Sequence, residues 1–253
     1  IPITRTTATI TNTTPMTHEH LTNGVFPAMT TPFDADGRID HDQLAANAQR
    51  LEDAGVDGVV PVGSTGESAT LTHDEHIDVV ETVVSAVDIP VIAGSGSNST
   101  HEAVDLSRRS AEAGADGLLL ISPYYNKPEP AGMEAHYRQI ADEVDIPQII
   151  YNVPSRTGRN IAVETSVSLA EHENVIGIKA ASGDLNRVSE VASRTEDEDF
   201  DVMAGDDGLT LPIISVGGTG VISVSANVEP QRLSRLVWSA LDGDYETARE
   251  IHY

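Results

Sequence analysis

A chain of 253 residues with 39% hydrophobic residues and a mean hydropathy of -0.18 can bury one sizeable core, as a single large α/β domain or two small ones. It holds no cysteine, which excludes disulfides, thiolate metal sites and cysteine nucleophiles, and no apolar run approaches the roughly 18 residues of a membrane span. A net charge of -25, dispersed along the chain, opposes binding to nucleic acid or to an anionic membrane. With no signal peptide visible, a soluble cytoplasmic protein is expected. Dispersed acid beside two lysines, Lys127 and Lys179, against thirteen arginines also matches the surface of a protein that works in concentrated salt.

Taken in order, Ile1 to Met16 is Thr-rich and aperiodic, so residues 1–20 are expected to form a disordered extension. An alternation then begins. Gly24–Met29 reads as a strand, Asp42–Asp53 as a helix closed by Gly55, and Gly58–Val62 as a second strand. The helix Thr72–Val87 opens on a capping box, Thr72 with Glu75. Strand Pro90–Ala93, helix Thr100–Ala113, strand Gly117–Ile121, helix Met133–Val144 and strand Gln148–Tyr151 follow. Helix Val163–Ala170, strand Val175–Lys179, helix Leu185–Arg194, strand Asp201–Ala204 and helix Leu209–Ser215 continue the series. Strand Gly220–Val224 and helix Pro230–Leu241 close it. Ala54–Val60 (AGVDGVV) recurs as Ala113–Leu119 (AGADGLL), one helix-stop-strand unit used twice.

Eight short apolar strands, each followed by a helix, predict a closed (β/α)8 TIM barrel rather than an open sheet. The barrel is placed at residues 21–243, and residues 244–253 read as the start of a C-terminal helical segment that is truncated or missing. In this architecture function gathers where strands end. Those positions carry Thr30–Pro32, Gly63–Ser68, Ser122–Asn126, Tyr151–Gly158, Lys179, Gly205–Asp207 and Ser223–Asn227.

Lys179 ends the β-branched run Val175–Ile178, and burying an ammonium there is expensive. It reads either as a strand-end lysine snorkelling to solvent or as a desolvated amine able to form a Schiff base. Three of the six tyrosines, Tyr124, Tyr125 and Tyr151, fall at the same mouth and favour the second reading. Gly63–Ser68 lacks the lysine of a phosphate loop, but its hydroxyls and freed N–H groups suit a carboxylate. His73 and His76 stand at a metal-compatible spacing with no third ligand evident, Asp34–Gly37 reads as a turn, and Gly94–Gly96 lacks a dinucleotide fingerprint. No metal and no organic cofactor is expected.

Gly63–Leu71, Tyr151–Gly158 and Gly177–Lys179, in this order, resemble the dihydrodipicolinate synthase / N-acetylneuraminate lyase family of pyruvate-dependent class I aldolases. The likeness runs from about Leu21 to Tyr253. Arg156, and the run Gly220–Asn227, look like the synthase branch. The resemblance implies that Lys179 forms an imine with pyruvate and that Tyr151 moves the protons. Ser64 and Tyr125 would complete a hydroxyl relay, with Tyr125 reaching across a subunit interface. Thr65 would hold the pyruvate carboxylate, Arg156 the carboxylate of an aldehyde partner, aspartate 4-semialdehyde, and Gly205 and Ile222 would complete the substrate site. Ser64 stands where many synthases carry threonine, and the hydroxyl is kept.

The resemblance further implies a homotetramer built as a dimer of dimers. It also implies lysine feedback at Ser68, Ala69, His73, His76, Asn98, Glu102 and Tyr124. A related sugar-acid aldolase or sialic acid lyase, and a non-catalytic binding barrel, are the competing readings. Retention of Lys179 and Tyr151 opposes the last.

Overall fold

The computed structural model describes residues 19–252. Residues 1–18, which include most of the expected extension, lie outside the described residues. A short helix α1 (Glu19–Thr22) leads into β1 (Gly24–Pro27), then α2 (His41–Asp53), α3 (His73–Ala86), β2 (Ile92–Gly94), α4 (Thr100–Glu112) and β3 (Gly117–Ile121). Next come α5 (Pro130–Glu143), β4 (Gln148–Asn152), α6 (Pro154–Thr157), α7 (Val163–Ala170), β5 (Val175–Ala180) and α8 (Leu185–Arg194). The chain continues through β6 (Asp201–Ala204), α9 (Thr210–Ile214), β7 (Gly220–Ser223), α10 (Pro230–Leu241) and α11 (Tyr245–His252).

The seven strands form one parallel sheet in the order β1-β7-β6-β5-β4-β3-β2. Its two edges are joined by the backbone of Val59 and Val60. The Val60 N–H donates to the Pro27 carbonyl and the Val60 carbonyl accepts the Met29 N–H, both at 2.9 Å, while the Val59 N–H donates to the Pro90 carbonyl at 2.8 Å and its carbonyl accepts the Ile92 N–H at 2.9 Å. The ring is therefore closed with eight members, and every strand edge is paired. The second strand expected at Gly58–Val62 shrinks to these two bridging residues. Pro61 has no N–H to donate, and Val62 turns away at φ 49°.

Two apolar shells follow from strand alternation. Phe26, Ile92, Ile149, Tyr151, Met203 and Ile222 fill the barrel, with Leu21 of α1 among them. Leu120, Ile150 and Val202 face the helices and share an outer shell with Leu44 of α2 and Val80 of α3. The repeated unit has a structural use. Asp57 accepts the Val25 N–H at 2.8 Å, and Asp116, its counterpart, accepts the Val91 N–H at 2.9 Å. Each aspartate thus pins the start of a neighbouring strand. At the end of the chain, α11 buries Ala248, and its Ile251 carbonyl takes a bond from Arg232 at 2.9 Å.

The expected helix Leu209–Ser215 forms as the short α9, preceded by a 3-10 turn at Asp207–Leu209 that Asp206 caps by accepting the Gly208 N–H at 3.0 Å.

Candidate active site

The aim of Lys179 is set by an irregularity in β5. Gln148 pairs with Val175 and Ile149 with Gly177, so Ile176 bulges without a partner. Val175 faces the helices and Ile176 the barrel interior; past the bulge Ile178 and Ala180 face outward. That phase slip turns Lys179 inward, where strict alternation from Ile176 would send it out. Gly177 is obligatory here, since a Cβ would lie 2.6 Å from the Asp201 carbonyl.

Lys179 is 4% exposed, and burial pushes its ammonium well below an ordinary lysine, to about 8. The Asp207 charge opposes this shift and the Arg156 charge adds to it. At pH 7 about a tenth of such an amine is free, against well under a thousandth for an ordinary lysine. Its neighbour across the ladder is Tyr151, whose ring centroid lies 4.4 Å from Nζ. Burial raises the Tyr151 phenol and keeps it protonated, with Arg156 pulling the other way. A Cβ on Gly205 would lie 2.9 Å from Lys179 Cγ, so glycine leaves room for the lysine stem.

Above Tyr151 opens a cavity of about 810 Å³. Of the residues expected to act in catalysis, Ser64, Tyr125, Tyr151 and Arg156 line it. Lys179, Gly205, Ile222 and Thr65 do not; Lys179 and Ile222 are buried beneath, Ile222 in the inner shell with Tyr151. Arg156 is held outward on α6, a turn started by Pro154 and ended by Gly158 at φ 77°. The Gly63–Ser68 loop is fixed by Thr31, whose hydroxyl donates to the Gly66 carbonyl at 2.7 Å.

The other half of the cavity carries Ser68, Ala69, His73, His76, Glu102 and Tyr124. His73 Nε2 meets Glu102 at 2.8 Å, and Ser97 donates to the same carboxylate. His76 is buried, its Nε2 has no partner, and desolvation pushes its pKa down to about 4. Asn98 does not line the cavity; its carbonyl receives Asn126 Nδ2 at 3.4 Å. All four non-glycine residues with positive φ among the described residues, Val62, Glu67, Tyr125 and Lys127, lie in this wall. Such backbone strain concentrates at functional sites.

Asp207 carries no role in the sequence reading beyond its strand-end position. Its carboxylate accepts the Ser223 hydroxyl at 2.5 Å, the Val224 and Ser225 N–H groups at 3.2 and 2.9 Å, and the Ser225 hydroxyl at 2.9 Å. The only sequence signal for it is the Gly205-Asp206-Asp207 run after β6.

A family model described as the Dihydrodipicolinate synthetase family matches residues 21–253, a span holding every strand end around the cavity. The chain belongs to that family. Two similar relatives are named 4-hydroxy-tetrahydrodipicolinate synthase. One, from Natronomonas pharaonis, is 73% identical over 239 residues, covering 94% of this chain and 81% of the relative. The other, from Haloarcula marismortui, is 67% identical over 232 residues, covering 91% and 76%. A solved structure of the enzyme from Cyanidioschyzon merolae with lysine bound aligns with a TM-score of 0.89 at 41% identity, covering 92% of this chain and 80% of that one. The family's solved members are TIM barrels, in agreement with the closed ring seen here.

Proposed function

We propose that this protein condenses pyruvate with L-aspartate 4-semialdehyde to give 4-hydroxy-tetrahydrodipicolinate, a step toward diaminopimelate and lysine. The observation that carries the reading is Lys179, a buried amine with its pKa near 8, packed on Tyr151 beneath a cavity rimmed by Arg156. The names borne by the relatives at 73% and 67% identity support the same reaction.

The free amine of Lys179 attacks the ketone of pyruvate and water leaves, forming an iminium. That iminium acidifies the methyl group, and a proton passes away to give the enamine. The enamine carbon then bonds to the aldehyde carbon, whose oxygen takes a proton. Finally the substrate's own amine attacks the iminium carbon, closes the ring and releases Lys179. Tyr151, a phenol kept protonated by burial, is the proposed proton carrier at each stage. Ser64 and Tyr125 connect it to solvent. Tyr125 is 87% exposed, which fits a residue offered to a partner subunit in a cytoplasmic homotetramer, a dimer of dimers. Thr65 and the N–H groups of its loop receive the pyruvate carboxylate, and Gly205 and Ile222 shape the space around the imine. The Arg156 guanidinium has no ion pair or hydrogen bond with any described residue and is the proposed clamp for the semialdehyde carboxylate.

The outer half of the cavity is the proposed site for lysine as a feedback inhibitor. Glu102 would take an ammonium group, and His76, with its unpartnered nitrogen, would meet the ligand from below. His73, Ser68, Ala69, Asn98 and Tyr124 surround it. The barrel at residues 21–243 would carry both sites, with residues 244–253 the start of a C-terminal helical segment.

Reduction with borohydride in the presence of pyruvate tests the chemistry. One three-carbon adduct on Lys179 is expected. An adduct on Lys127, or none, would overturn it.

A further inference from the structure

The cavity wall carries one more cation. Lys127 is one of two lysines in 253 residues, and both belong to this site: Lys179 beneath Tyr151 and Lys127 in the wall. Several arginines elsewhere are tied to carboxylates, among them Arg38, Arg108, Arg138 and Arg159. The Lys127 ammonium, like the Arg156 guanidinium, has no ion pair or hydrogen bond with any described residue.

Strained backbone holds it in place. The Asn126 N–H donates to the Tyr124 carbonyl at 2.7 Å, closing a three-residue turn around Tyr125 at φ 63°, and Lys127 follows at φ 47°. Both conformations are costly for residues that carry a Cβ. The lysine stem then crosses the bare face of Gly158, where a Cβ would lie 2.5 Å from Cε and 3.1 Å from Nζ. Gly158 ends the same short turn that presents Arg156. One segment thus sets both cations at the rim.

We propose that Lys127 is a second carboxylate-binding cation for the aldehyde substrate, acting beside Arg156. The assignment rests on the reaction proposed above. A carboxylate approaching a chain of net charge -25 meets an adverse field, and two unpaired cations oppose it at the cavity mouth. In concentrated salt, attraction at a distance is screened, so recognition depends on groups in contact. Nearby positive charge also disfavours the ammonium form of the bound substrate and favours the free amine that closes the ring.

Lys127→Gln keeps the stem over Gly158 and removes the charge. The KM for aspartate 4-semialdehyde is expected to rise roughly five- to twentyfold, with the effect in KM rather than kcat and no change in borohydride trapping of pyruvate. Lys127→Arg should restore the KM. Gly158→Ala, whose methyl displaces the stem, should reproduce the defect. An unchanged KM in Lys127→Gln, an equal rise in the KM for pyruvate, or a Lys127→Arg variant as weak as Lys127→Gln would overturn the assignment alone. Absence of semialdehyde turnover in the unmodified enzyme would overturn the proposed reaction and this assignment with it.

Discussion

Lys179 and Tyr151 are register partners on adjacent parallel strands, with the amine 4.4 Å from the centre of the phenol ring. Neither can move without the other, because both are anchored by the ladder rather than by a loop. Imine formation measured in single turnovers should therefore follow the Lys179 amine, rising with pH and levelling above about 8. Asp207 raises this pKa and Arg156 lowers it, so Asp207→Asn should move the profile to lower pH and Arg156→Ala to higher pH. Shifts in the same direction for both variants would contradict this electrostatic picture.

Arg156 is exposed and unpaired, so its loss leaves no buried partner stranded. Arg156→Ala should raise the KM for aspartate 4-semialdehyde ten- to a hundredfold, about 1.5–3 kcal/mol for one charge-assisted contact, with pyruvate trapping retained. Steady-state kinetics with the two substrates varied separately decides it. Efficient cleavage of a keto-deoxy sugar acid, with no turnover of the semialdehyde, would move the enzyme to another branch of the family.

Asp57 accepts Trp238 Nε1 at 3.3 Å as well as the Val25 N–H. Asp57→Ala should cost about 1–3 kcal/mol by leaving two donors unsatisfied, and Asp57→Asn should cost less. Burial raises the Asp57 carboxyl in the folded state, with the two donors pulling back. Its titration therefore favours the folded state below the unfolded value of about 3.9, and that contribution is lost as pH rises through the folded value. Denaturant midpoints should accordingly show Asp57→Asn gaining on the unmodified protein between acid and neutral pH.

Lysine should bind in the millimolar range and inhibit. Glu102→Gln removes the negative charge opposite His73 and should weaken binding about tenfold or more in calorimetry. Lysine without effect at tens of millimolar would leave this half of the cavity with no feedback role.

The charge of -25 should make stability depend on salt. Unfolding midpoints should climb from low to molar potassium chloride, as the screening length falls from about 10 Å at 0.1 M to about 3 Å at 1 M. A flat or falling curve would rule out adaptation to concentrated salt while leaving the aldolase reading intact.

Features written locally were legible in the sequence. The Thr72–Glu75 box forms as expected, with Glu75 N–H on the Thr72 hydroxyl at 3.3 Å and Thr72 N–H on the Glu75 carboxylate at 2.8 Å. The periodic runs give α7, α8 and α10 with the expected ends. What failed was set by distant partners or by elements too short to show a period. The four residues of α6 are such a case, as is the shortening of the second strand to Val59 and Val60 before Pro61. Lys127 and Asp207 looked ordinary because their surroundings are assembled from separate strand ends.

The unpartnered Ile176 makes the site depend on register as well as residue identity. Deleting Ile176 would leave a regular ladder with Lys179 still opposite Tyr151, whereas straightening the bulge at full length would shift Lys179 one place along β4 and swing the amine into the layer between sheet and helices. A chain that straightened in this way would keep its lysine at the same place in an alignment and have no nucleophile in the barrel. Sequence comparison that scores letters alone would miss the loss.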